Sequence, residues 1–283
     1  MSDIGLIDTH QHLIYRDTVC YSWTRDVPPL ASGDFTQTDY DGLTAGLGVV
    51  GKVFMEVGVD DADYQTEARF VAGLVGTHGL LGQIASIRPE WDEGFDAWLE
   101  EAQGLHLVGF RRILHVVPDD VSQTETFRRN LRKIGAAGLP FDLNFLARQL
   151  VPIGVPLIRA CPDQAYVLDH CGVPDIAAGG FDAWSHGIAE IARFEQVVVK
   201  LSGIAAYCAP GTASVATFAP YVERLLEVFG PDRMLWGSDW PVVNLGLDLP
   251  GWIAATRALI GGLSADEQFA IAQGTARRVY KLG

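Results

Sequence analysis

Cysteine is scarce and unpatterned in this chain. Its four cysteines among 283 residues, Cys20, Cys161, Cys171 and Cys208, show no C-x-x-C spacing, which leaves free thiols in a reducing cytoplasm as the simplest reading. Positive charge is also short: 21 lysines and arginines face 35 aspartates and glutamates, a formal net charge of −14. That balance argues against nucleic acid or an anionic membrane surface as a partner. An anionic small molecule would need local arginine or lysine to hold it. No stretch of about 18 residues is apolar and free of charge, so no membrane span is expected. The first residues lack the basic, apolar and small-residue succession of a secretory leader, and the expected compartment is the cytoplasm. Fixed-period repeats, low-complexity tracts and a strong linker are missing as well, which makes residues 1–283 one domain.

What is present is alternation. Apolar runs rich in valine, isoleucine and leucine recur at Leu6–His10, Lys52–Val57, Leu80–Ser86, Leu107–Leu114, Pro140–Asn144, Ala165–Asp169, Val197–Leu201 and Arg233–Gly237. Helix-like stretches lie between them: Asp63–Val75, Gly94–Glu101, Thr124–Gly135, Phe145–Pro152, Trp184–Arg193, Ala219–Phe229 and Ser264–Lys281, with Trp252–Ile260 as an additional short helix. Strands that alternate with helices predict a parallel sheet, and eight strands are the number that closes a (β/α)8 TIM barrel. Tyr15–Asp41 reads as a long loop after the first strand, of the kind that covers an active site.

Barrel chemistry collects at the C-terminal strand ends. There the sequence places His10 and His12, Glu56, Arg111 with Arg112 and His115, His170, Lys200, and Asp239 followed by Trp240. Side chains two apart on a strand share a face, so His10 and His12 can both turn towards the barrel axis and supply half of a tetrahedral metal site. A pair of hydrogen-bonded polar residues at a strand end is the alternative. Asp239 ends a buried strand, where an unpaired carboxylate is costly. Lys200 and Arg111 each interrupt a buried run and demand an anionic or hydrogen-bonding partner, either a substrate or an internal salt bridge. Glu56 is a candidate partner for one of these cations. Trp23 in the long loop and Trp240 are candidates to wall a sugar-sized pocket.

Six ordered motifs, "DTHQHL", "GFRRILH", "LDHCGVP", "VKLSG", "GSDWP" and "ARRVYKL", together resemble the amidohydrolase superfamily, and within it the branch of sugar-acid lactonases. The resemblance spans essentially the whole chain. It implies the barrel, with His10, His12, His170 and Asp239 around one divalent metal ion, zinc first, or around the reacting water. It also implies Asp239 and His170 as catalytic residues and Arg111, Lys200, Glu56, His115, Trp23 and Trp240 as substrate contacts. Strand four offers no lysine or glutamate in the bridging position of two-metal relatives, so a binuclear centre is not expected, and some enzymes of this branch dispense with metal.

The expected reaction is hydrolysis of a small sugar-derived lactone by water, with an aspartate as general base. A decarboxylase or a lactone isomerase of the same branch, and a non-catalytic sugar-binding barrel, are the alternatives. The lactone's stereochemistry and the choice between monomer and homo-oligomer are left open.

Overall fold

The computed structural model describes residues 4–283, and the eight apolar runs form eight strands in it. They are β1 (Leu6–Gln11), β2 (Val49–Met55), β3 (Leu80–Ser86), β4 (Leu107–Ile113), β5 (Phe141–Asn144), β6 (Tyr166–Leu168), β7 (Val197–Leu201) and β8 (Met234–Trp236). Each pairs in parallel with the next in chain order. The sheet meets itself just beyond β8, where the Asp239 amide donates to the His10 carbonyl and the His12 amide to the Trp240 carbonyl, both at 2.8 Å. The fold is a single (β/α)8 TIM barrel.

Alternation along the strands decides what fills it. On β7, Val197, Val199 and Leu201 pack outward under the helices, while Val198 turns inward to meet Ile7, Val53, Ile84, Val167 and Leu235. The same period turns Lys200 inward, fully buried. On β5 it sends Asp142 and Asn144 inward between the outward-packed Phe141 and Leu143. The interior is therefore apolar low in the barrel and polar above.

The helices are α1 (Gln37–Thr44), α2 (Tyr64–Ala72), α3 (Phe95–Gln103), α4 (Glu125–Ala136), α5 (Val155–Ala160), α6 (Phe181–Ala192), α7 (Val215–Phe229), α8 (Leu249–Ile260), α9 (Ala265–Phe269) and α10 (Thr275–Tyr280). Four expectations change. The long loop after β1 ends in α1, which starts at a capping box: the Thr36 side chain accepts from the Asp39 amide and the Asp39 carboxylate accepts from the Thr36 amide. The helix expected over Phe145–Pro152 starts later, because residues 147–154 form two wider or tighter turns around Pro152 before α5. The stretch at Trp252–Ile260 is not additional. It belongs to α8, which packs between α7 and α1 as the eighth helix of the outer ring.

The segment expected as one helix over Ser264–Lys281 is α9, a π-turn and α10, and it closes the bottom of the barrel. Gln273 donates to the Gly5 carbonyl at 2.8 Å and Lys281 to that of Gly138 at 2.8 Å, both at the entrances of strands. The Tyr280 hydroxyl reaches inside and donates to Asp142 at 2.9 Å.

Glu67 on α2 is buried at 2% exposure, and its Oε1 accepts the Val57 amide at 3.2 Å. Burial, followed by the neighbouring Glu56 carboxylate, pushes its carboxyl well above the usual range. The unfolded chain thus releases this proton more readily than the fold, and the fold loses stability as pH rises from the ordinary glutamate range towards the folded value. Glu67→Gln, which keeps the accepting oxygen, is expected to raise Tm more at about pH 8 than at about pH 5. Equal gains at the two pH values would contradict the burial argument.

Candidate active site

The upper interior is a network of charge built from strand ends. The Arg111 Nε donates to Glu56 Oε1 at 2.6 Å, Nη2 to the Glu56 carbonyl at 2.6 Å and Nη1 to Asp169 Oδ2 at 3.3 Å. Lys200 Nζ donates to Asp142 Oδ2 at 2.5 Å and lies 3.2 Å from Asp169 Oδ1. Burial alone would raise all three carboxyls, and their neighbours decide the outcome. Arg111 outweighs it at Glu56, whose carboxyl stays below its ordinary value. Lys200 and then His10 outweigh it at Asp169, held well below the carboxylate range. Asp142, with burial only partly offset by Lys200 and with Asp169 beside it, is pushed up to about 7.

His10 stands on this layer. Its Nε2 lies 3.2 Å from Arg111 Nη1, and its Nδ1 lies 3.4 Å from both Lys200 Nζ and Asp169 Oδ1. Burial drives its pKa well down despite Asp169, so the imidazole is neutral at physiological pH. His12 anchors Nδ1 on the Met55 carbonyl at 3.0 Å and turns Nε2 towards Asp239 Oδ1 at 3.3 Å. His10 Nε2 lies 3.7 Å from the same oxygen, and His170 Nδ1 3.9 Å from Asp239 Oδ2. Burial lowers the His170 pKa too, against the pull of Asp239.

Two of these side chains are aimed by backbone in the left-handed region. Asp239 has φ 61°, and the turn after β6 runs left-handed through His170, Cys171, Gly172 and Val173, with φ of 51°, 56°, 69° and 46°. Such a conformation costs a non-glycine residue about 1–2 kcal/mol. It persists because the surroundings hold it: Trp184 Nε1 donates to the Cys171 carbonyl at 2.7 Å and the Ala147 amide to the Val173 carbonyl at 3.2 Å. Gly203, after β7, also has a positive φ, and a Cβ there would overlap the His170 ring and come within 3.0 Å of Asp239 Oδ2. Only glycine leaves His170 its place.

Above this group opens a cavity of about 540 Å³, lined by His12, Arg111, His115, His170, Tyr207 and Asp239 among others. Glu56 and Trp23 also line it, the indole of Trp23 donating to the Val57 carbonyl at 2.9 Å. His115 meets Asn144 at the wall, and burial lowers its pKa. Two residues expected at the substrate stand elsewhere. Lys200 is fully buried one layer below, claimed by Asp142 and Asp169. Trp240 is core, at 1% exposure with Phe35 and Tyr40 edge-on to it.

Several residues escaped the sequence reading. Asp142 carried a signal, an acid at an inward position of β5. Asp8 accepts from the His10 amide, the Ser238 amide and the Tyr40 hydroxyl at 3.0, 2.7 and 2.6 Å, tying β1 to the loop after β8 and to α1. Tyr207 and Arg88 reach the cavity from loops with no periodicity to flag them.

The donor atoms of His10, His170 and Asp239 lie within 4.8 Å of one another, all buried. Two neutral imidazoles and a carboxylate fit one divalent ion of the borderline class. His12 stands beside Asp239 but outside that tight group, and Arg111 competes for the His10 Nε2 lone pair. Elemental analysis of the purified chain is expected to find about one divalent ion per chain. Gly203→Ala, by displacing His170, is expected to weaken its retention about 10- to 100-fold against a chromophoric chelator. Unchanged retention would place the ion away from His170.

The chain is 28% identical to an L-fucono-1,5-lactonase of Burkholderia multivorans, over 98% of this chain and 96% of that one. It is 28% identical to an L-fucono-1,5-lactonase of Burkholderia ambifaria, over 88% and 85%. A zinc-bound amidohydrolase of Burkholderia multivorans superposes with a TM-score of 0.89 at 24% identity, covering 99% of this chain and 100% of that one. The family model described as amidohydrolase matches residues 7–282, and the chain belongs to the amidohydrolase family.

Proposed function

We propose that the protein is a lactone hydrolase that opens a small sugar-derived lactone with water, Asp239 serving as general base. The observation that carries this reading is the Asp239 carboxylate, which faces the cavity with the imidazoles of His12, His10 and His170 at 3.3, 3.7 and 3.9 Å. The similarity to L-fucono-1,5-lactonases along nearly the whole chain supports it.

In this reading a water held against Asp239 gives its proton to the carboxylate as its oxygen bonds to the ester carbonyl carbon. The bond from that carbon to the ring oxygen then breaks, and Asp239 returns the proton to the departing alkoxide. Arg111, kept charged by Glu56 and Asp169, supplies fixed positive potential from the cavity floor as the carbonyl oxygen becomes negative. His170, fixed by Ser202 Oγ at 3.1 Å and held neutral by burial, and His12, fixed by Met55, orient the water and the ring. A zinc ion held by His10, His170 and Asp239 would polarise the carbonyl and acidify the attacking water. The partner is a small molecule in the cytoplasm, and among the described residues no helix is long and apolar enough to cross a membrane.

Asp239→Asn is expected to lower kcat on a panel of aldonolactones, read with a pH indicator, by about 10³-fold or more while Tm and circular dichroism stay close to wild type. Retention of wild-type turnover in this variant would remove Asp239 from the reaction. Release of carbon dioxide from an aromatic or enoic acid, without lactone opening, would replace hydrolysis by decarboxylation.

A further inference from the structure

Away from Asp239 the cavity has a second polar wall that the proposed reaction does not use. Arg88, two residues beyond the end of β3, lines it together with Ser86, Asp61 and Arg112. Its guanidinium is firmly built in. The residue is 4% exposed, Nη1 donates to Ser86 Oγ at 2.6 Å and to the Ile87 carbonyl at 3.2 Å, and the Tyr64 ring centroid lies 4.6 Å from its central carbon.

Its hydrogen-bonded counter-charge is not. Nε and Nη2 both donate to a single oxygen, Asp61 Oδ1, at 2.8 and 2.6 Å, and the Asp61 side chain is 59% exposed in the loop after β2. The other two arginines of the cavity differ in this. Arg111 is paired with the buried Glu56 and Asp169, and Arg112 with Glu90, whose side chain is only 15% exposed. A guanidinium fork binds a carboxylate best through two oxygens in parallel, and Asp61 engages it through one. A buried cation left alone is costly, whereas an exposed carboxylate is readily solvated. Exchange of Asp61 for another carboxylate therefore conserves the charge around Arg88 and releases Asp61 to water.

We propose that Arg88 is the seat of a carboxylate carried by the substrate, and that Asp61 is an internal placeholder that leaves when the substrate enters. The substrate is then a lactone of a sugar diacid, its free carboxylate on Arg88 and its ester at Asp239, rather than a neutral aldonolactone. This deepens the lactone-hydrolase reading and rests on it. It also supplies the local arginine that an anionic ligand needs in a chain of net charge −14.

Two lactones of equal ring size test it: D-glucaro-1,4-lactone, which has a free carboxylate, and D-galactono-1,4-lactone, which has none. The readout is the ratio of kcat/KM for the charged over the neutral lactone. Wild type is expected to favour the charged one, and Arg88→Gln to lower the ratio about 10- to 100-fold, the worth of a charged hydrogen-bonded pair. Asp61→Asn removes the competitor and is expected to raise the ratio several-fold. A second readout needs no turnover. Succinate is expected to raise the Tm of the full chain, more so in Asp61→Asn and not in Arg88→Gln. If neither lactone is opened but succinate shows this pattern, the hydrolase reading fails and the carboxylate seat stands. If lactones are opened while neither the ratio nor the succinate shift responds to either substitution, the seat is overturned. Should Arg88→Gln fail to fold, Asp61→Asn decides alone, and no rise in either readout overturns the proposal.

Discussion

Charge neutrality inside the barrel is the condition on which the rest of the molecule depends. Arg111 and Lys200 are set against Glu56 and Asp169, with Asp142 pushed up to about 7 between Lys200 and the Tyr280 hydroxyl. Removing one partner of such a buried pair strands the other at a cost of about 3–5 kcal/mol. The layer has two faces. Above, it supports His10 and through it the group around Asp239, and below, it is closed by Val198, Leu235 and the residues of α10. Tyr280, Asp142 and Lys200 thus link the bottom of the barrel to His10 by direct contacts.

The same electrostatics sets the ionisation of the site. Burial keeps His10 and His170 neutral, the form in which an imidazole can ligate a metal or accept a proton. The left-handed turn at His170 and the left-handed Asp239 store conformational energy where Trp184, Ser202 and Asp8 hydrogen-bond the residues around them. Gly203 is the complement of that arrangement, since its missing side chain is the space that the His170 ring uses.

Much of this was legible in the sequence. Eight apolar runs were enough for the barrel, because a parallel strand buried on both faces leaves so clear a trace, and on β4 Phe110 packs outward while Arg111 turns inward. Of the four residues that the family resemblance grouped, His10, His170 and Asp239 lie close together and His12 stands beside Asp239 outside that group. Lys200 was recognised as a buried cation but not as one already claimed by Asp142, since which acid lies opposite depends on register between strands far apart in the chain. Trp240 follows the seam aspartate in sequence, yet the left-handed turn at Asp239 swings it into the core. The capping box at Thr36 was readable and lay inside what looked like loop. Arg88 was invisible because its place in the cavity comes from a loop folding over the barrel mouth, which no periodicity records.

The seam between the first and last strands has a consequence for how the protein is made. His10 and His12 precede Asp239 by more than two hundred residues in the chain, and the amide bonds that join their two backbones are also the ones that shut the barrel. A nascent chain therefore holds the histidines without the carboxylate while the residues between them are made. The grouping of His10 and His170 with Asp239 is complete only once the barrel is closed.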